Sequence, residues 1–78
     1  MEHFIEKDNK LYAKFKFKDF AEAMVFINRV AEIAEKLNHH PTIINTYNIV
    51  ELYLSTHDAG DVVTEKDFAL AEQILNNK

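Results

Sequence analysis

The sequence contains no cysteine, one glycine and one proline among its 78 residues. Without cysteine there is no disulfide, no thiol nucleophile and no thiolate zinc site. A structural zinc would need histidines and carboxylates alone, an unusual ligand set. The lone glycine leaves no glycine-rich loop of the kind that cradles phosphates, and so few chain-breaking residues imply mostly regular structure. Positive charge is also scarce. Nine Lys and Arg against thirteen Asp and Glu give a formal net charge of −4, which argues against nucleic acid as a partner, because phosphate binding needs clustered cations. No apolar run approaches the ~20 residues of a membrane span. The opening Glu2 and His3 begin a polar-apolar mix rather than a signal peptide. No membrane partner is expected, and the cytoplasm is the default compartment.

What the chain does have is material for a core. Hydrophobic residues make up 47%, with six Phe and three Tyr, which points to one folded domain over residues 1–78 rather than disorder. A chain this short buries only about 60–65% of its unfolded surface, so it depends on good packing or on self-association.

The patterning alternates between strand and helix. Residues 3–6 (H-F-I-E) suit a short strand and Lys7–Lys10 a turn, with Asp8 and Asn9 tolerating positive φ. Leu11, Ala13, Phe15 and Phe17 then alternate with Tyr12, Lys14, Lys16 and Lys18, the period of a strand packed on one face. In an acidic chain the lysine face reads as solvated. Asp19 and Glu22 have capping-box spacing. From there Phe20, Ala23, Ile27, Val30, Ala31, Ala34 and Leu37 mark an amphipathic helix of about five turns, widened by Met24, Phe26 and Ile33. Pro41 is expected to stop it. Residues 42–46 read as a third strand, Tyr47-Asn48 as a bend and residues 49–56 as a fourth strand. Ala59-Gly60-Asp61 reads as a loop. Thr64 and Asp67 form a second capping box, before a helix whose face holds Phe68, Ala71, Ile74 and Leu75. Strand-strand-helix twice over gives an α+β fold: a four-stranded antiparallel sheet with helices packed on one face. The other face, with Ile49, Glu51 and Tyr53, is left for solvent or an interface.

Three of the four histidines fall between Glu35 and His57. On a helix Glu35 and His39 share one face, so that carboxylate is expected to hold the His39 imidazole in one tautomer. Pro41 frees His40 from helical geometry, letting both rings turn toward one pocket, and His57 stands just past the fourth strand, followed by Asp58. Two imidazoles on opposite sides of a substrate serve as acid and base near neutral pH. Each alone also reads as a helix cap or a bystander. Three histidines also suit a zinc site, although neither H-E-x-x-H nor an i,i+4 histidine pair is present. His3 has no motif around it.

The spacing E-x-x-x-H-H-P, Tyr47, His57 and Asp67, with the surrounding segments E-K-L-N-H-H-P, N-T-Y-N, L-S-T-H-D-A-G and T-E-K-D-F, resembles the pterin-4a-carbinolamine dehydratase family. That family is also known as the dimerisation cofactor of a homeodomain transcription factor. The likeness runs from about Phe15 to the C-terminus. It implies a ββαββα chain without the N-terminal helix of longer members, and dehydration of a 4a-hydroxytetrahydropterin to the quinonoid dihydropterin with no metal and no organic cofactor. By the resemblance His39 and His57 are the acid–base pair, and His40 binds and orients the pterin with a share in proton transfer. Glu35 and Asp67 are supporting carboxylates. Asn38 and the segment Ser55, Thr56, His57, Asp58 line the pocket, and Tyr47 packs beside it. Asn38 stands where animal members have Asp, Lys66 where Arg is common, and the loop keeps only Gly60 of two glycines and looks one residue longer. The resemblance further implies a homodimer or homotetramer and an aromatic amino acid hydroxylase in the same pathway. The competing reading is a non-catalytic interaction module on the same fold, a transcription coactivator or assembly chaperone.

Overall fold

A computed structural model describes residues 3–78. Strand β1 (Ile5–Lys7) turns into β2 (Lys10–Lys16) through Asp8 and Asn9 alone, whose φ angles of 52° and 65° are those of the two-residue turn that matches strand twist. The register pairs Lys7 with Lys10 and Ile5 with Tyr12, so the strand begins two residues later and ends one residue later than residues 3–6 suggested. Helix α1 spans Phe20–Leu37, followed by β3 (Thr42–Thr46), β4 (Ile49–Leu54), a 3-10 turn at His57–Ala59 and helix α2 (Glu65–Asn76). The strands form one antiparallel sheet in the order β1-β2-β4-β3.

The alternation in β2 and β4 decides which face is covered. Leu11, Ala13 and Phe15 of β2 and Val50, Leu52 and Leu54 of β4 are buried against Ala23, Phe26 and Val30 of α1 and Leu70, Ala71 and Ile74 of α2. The α1 stripe is therefore rotated from the expected one. Phe26 is core, whereas Phe20, Ala31 and Leu37 are exposed, because helix phase is set by the sheet beneath and not by counting apolar positions. In α2 the buried face runs through Asp67, Leu70, Ala71 and Ile74, and Phe68, one residue and about 100° off it, is exposed.

Local hydrogen bonds fix the helix ends. The Asp19 carboxylate accepts from Glu22 N (2.9 Å) and the Glu22 carboxylate from Lys18 N (3.0 Å). Helix α1 stops at Asn38, three residues before the proline expected to end it. Asn38 is left-handed (φ 50°), and the His39 N–H returns to Ala34 O at 3.0 Å, the closing bond of a Schellman cap. Tyr47 also adopts a positive φ (51°), in a turn clamped by Asn45 Nδ2 donating to Tyr47 O and Ile49 O. Among the described residues, no helix is long and apolar enough to cross a membrane.

On the uncovered sheet face the Tyr12 hydroxyl donates to Glu51 Oε2 (2.7 Å), the Tyr12 and Tyr53 rings lie 4.9 Å apart, and Lys7 Nζ stands 4.8 Å from the Tyr12 ring centre. The hydrogen bond to Glu51, above all, pushes the Tyr12 phenol up to about 12. A raised phenol favours the protonated form in the folded state. Its contribution is therefore whole below the ordinary tyrosine range and is lost as pH rises through about 12. In an ultraviolet titration one tyrosine should ionise well above the ordinary tyrosine range, and Glu51→Ala should return it toward that range. An unchanged titration in that variant would remove Glu51 as the cause.

Candidate active site

The site is built at the end of the sheet where α1 hands the chain to β3 and β4 hands it to the 3-10 turn. An open pocket of about 340 Å³ is lined there by Asn38, His39, His40, Ser55, Thr56, His57, Asp58 and Lys66. The three histidines read from the sequence thus share one pocket, together with Asn38, Ser55, Thr56 and Asp58. Lys66 joins them, a residue the sequence reading noted only as standing where Arg is common. The other two expected site residues, Glu35 and Asp67, lie outside this lining.

Asp67 sits beneath the pocket rather than in it. Its side chain is fully buried, and Oδ1 is 2.6 Å from His39 Nε2. Oδ2 accepts from the Thr56 hydroxyl (2.8 Å) and from Thr64 N (2.9 Å). Thr56 and Thr64 hydroxyls are 2.6 Å apart. Because the Thr56 proton goes to Asp67, the Thr64 hydroxyl donates to Thr56, forming a short relay of hydrogen bonds. The capping box of α2, with Thr64 as N-cap and Asp67 three residues on, is therefore also the support of His39. An ionised carboxylate only accepts, so the His39 proton sits on Nε2 and Nδ1 is left to accept or release a proton.

This overturns the expected pairing of Glu35 with His39. The left-handed Asn38 between them ends the helical geometry, and Glu35 Oε2 instead meets His40 Nε2 at 2.6 Å. Both side chains of that pair are exposed, so it orients His40 only loosely. His57, at 90% exposure the most open of the three, has Nδ1 3.2 Å from Asp61 Oδ1. Its Nε2 is the free nitrogen. Asp61 belongs to the loop expected at Ala59-Gly60-Asp61, and its position four residues after His57 is the one sequence signal for the pair. Among the described residues, no three of His, Cys, Asp and Glu are arranged to hold a metal ion.

Tyr47 does not pack beside the pocket. It lies in the β3–β4 turn, next to the Thr46–Ile49 pair, whereas the pocket lies past the Thr42–Tyr53 pair at the other end of the hairpin. His3 is also remote from the site, stacked on Phe15 with ring centres 4.5 Å apart.

The model of the family described as pterin 4 alpha carbinolamine dehydratase matches residues 2–76. Among curated proteins, one from Thermomicrobium roseum, named "Putative pterin-4-alpha-carbinolamine dehydratase", is 53% identical over 82% of this chain and 68% of its own length. One of the same name from Sulfolobus acidocaldarius is 48% identical over 87% of this chain and 74% of its own. Among solved structures, a transcriptional coactivator/pterin dehydratase from Brucella melitensis superposes with a TM-score of 0.89 at 38% identity, covering 96% of this chain and 81% of that one. A pterin dehydratase-like protein identified as a RuBisCO assembly factor in the alpha-carboxysome has a TM-score of 0.71 at 24% identity, covering 91% and 81%, and it speaks for the fold alone. With a family model running along nearly the whole chain and relatives about half identical over most of it, the chain belongs to the pterin 4 alpha carbinolamine dehydratase family.

Proposed function

We propose that this protein is a 4a-hydroxytetrahydropterin dehydratase, a hydro-lyase acting through histidine acid–base chemistry. The observation that carries the reading is the convergence of His39, His40 and His57 on one pocket, with one ring nitrogen of each held by a carboxylate and the other left over. In the elimination the N5–H bond breaks and its electron pair becomes the C4a=N5 double bond. The C4a–O bond breaks in turn, and the departing hydroxyl takes a proton and leaves as water. One proton is removed and one is supplied, so two imidazoles suffice and no oxidant or reductant is needed.

His39 and His57 are the pair that moves these protons, one at N5 and one at the hydroxyl. His39 is held rigidly through Asp67, while His57 is free to turn about its exposed side chain. His40 orients the pterin, and Asn38, Ser55, Thr56 and Asp58 offer donors and acceptors to its ring. Asp67, being fully buried, positions His39 and does not touch substrate. Glu35 does the same for His40. The pterin-dependent hydroxylation of an aromatic amino acid is the class of reaction that supplies such a substrate. A second reading, a non-catalytic interaction module, draws support from the description of the Brucella melitensis structure as a coactivator as well as a dehydratase.

A stopped assay with freshly generated 4a-hydroxytetrahydropterin separates the two. Wild type should accelerate the loss of water over buffer, and His39→Ala and His57→Ala should each lower the rate by about 100- to 10,000-fold. No acceleration by wild type would defeat the enzyme reading, while full activity in both variants would defeat the residue assignment. Asp67→Asn retains the volume but offers one acceptor oxygen to three donors, so it should destabilise the fold and also lower the rate by about 100-fold or more. A variant that loses stability in urea while keeping its rate would confine Asp67 to a structural role. Val25, Ile44 and Phe68 are exposed, in keeping with a homodimer or homotetramer. Sedimentation at micromolar concentration should show one, and a monomer alone would exclude both.

A further inference from the structure

Beside the histidine pocket lies a second opening of about 330 Å³, lined by Leu37, Asn38, His39, Lys66 and Ala69. Asn38, His39 and Lys66 belong to both linings. The two openings therefore adjoin as two lobes about these three side chains. The second lobe differs in character. Leu37 is 42% exposed, an apolar side chain left at the surface next to the chemistry, and Ala69 is small. Apart from His39, the one ionisable group in this lining is Lys66. Among the described residues the Lys66 ammonium makes no ion pair, whereas each pocket histidine stands against a carboxylate. Asp58, the carboxylate in the lining of the first lobe, is not part of the second.

Substrate chemistry says what belongs there. The elimination takes place at N5 and at the hydroxyl on C4a, and the ring carbon bonded to N5 on its other side is C6, whose substituent distinguishes one pterin from another. With either reacting group at His39, C6 lies within three bonds of the atom that the imidazole contacts. The substituent then begins beside His39, whose side chain lines both openings.

We propose that this second lobe is the subsite for the position-6 substituent, and that Lys66 makes it selective for a pterin whose substituent carries a carboxylate. The proposal rests on the dehydratase reading. Leu37 and Ala69 cover the carbon chain of the substituent, and the ammonium meets its charged end. A lysine suffices for this because a point charge on a flexible stem does not demand the planar match of a guanidinium.

Calorimetric titration of the whole chain with two stable pterins, pterin-6-carboxylate and 6-methylpterin, reads the preference as a ratio of dissociation constants. Wild type should bind the carboxylate about fivefold more tightly, the upper range for an exposed ion pair, with the ratio shrinking as salt is raised. Lys66→Met should bring the ratio to one, Lys66→Arg should restore it, and Lys66→Glu should invert it. A wild-type ratio of one with both pterins bound overturns the subsite and leaves the dehydratase reading standing, as does a preference that survives Lys66→Met. Binding of neither pterin overturns both.

Discussion

The Asp67 carboxylate is the point on which the site depends. Taking an ionised carboxylate out of water costs several kcal/mol, and here that cost is offset because three donors converge on its two oxygens: the His39 ring, the Thr56 hydroxyl and the Thr64 amide. Those donors come from three different parts of the chain, the exit of α1, the end of β4 and the start of α2. The group that caps α2 is thus the group that sets His39, and docking the second helix on the sheet and assembling the pocket are one event. Among the described residues no buried side-chain polar atom is left without a partner, so the network closes on itself.

Much of this was legible in the sequence. The period-two runs of β2 and β4 named the buried faces correctly because a strand has only two faces. Both helix starts were legible because capping needs particular side chains at fixed short spacing. Helix phase was harder: Phe26 and Leu70 are core while Phe20 and Phe68 are not, since a helix of wide apolar sector leaves its neighbours to choose the face. The left-handed Asn38 is not legible in the same way, because asparagine is also compatible with a helix that continues to Pro41, the stronger breaker. That one residue then redirected both carboxylates, placing Glu35 on His40 and leaving His39 to Asp67. The His39–Asp67 contact joins residues 28 apart in sequence, and no local spacing announces it. Tyr47 was carried to the site by resemblance alone, and the antiparallel hairpin sends it to the opposite end.

The three imidazoles are held with very different firmness, and that gradient follows from where each lies relative to the core. His39 is 13% exposed and bound to a fully buried partner, so its ring is fixed by the same packing that fixes α2. His40 and His57 are each paired with an exposed carboxylate, and such pairs contribute little in water. The proposed elimination, which removes one proton and delivers another on a substrate that must enter and leave, benefits from this inequality. A fully rigid pocket would have to open to admit the ring, whereas three loosely held imidazoles would sacrifice orientation, the main resource of a site without covalent chemistry. In the proposed dehydratase the imidazole anchored through a capping carboxylate is the fixed reference, and the two at the rim, on the residue before Pro41 and on the first residue past the strand bridge at Thr56, are the adjustable ones.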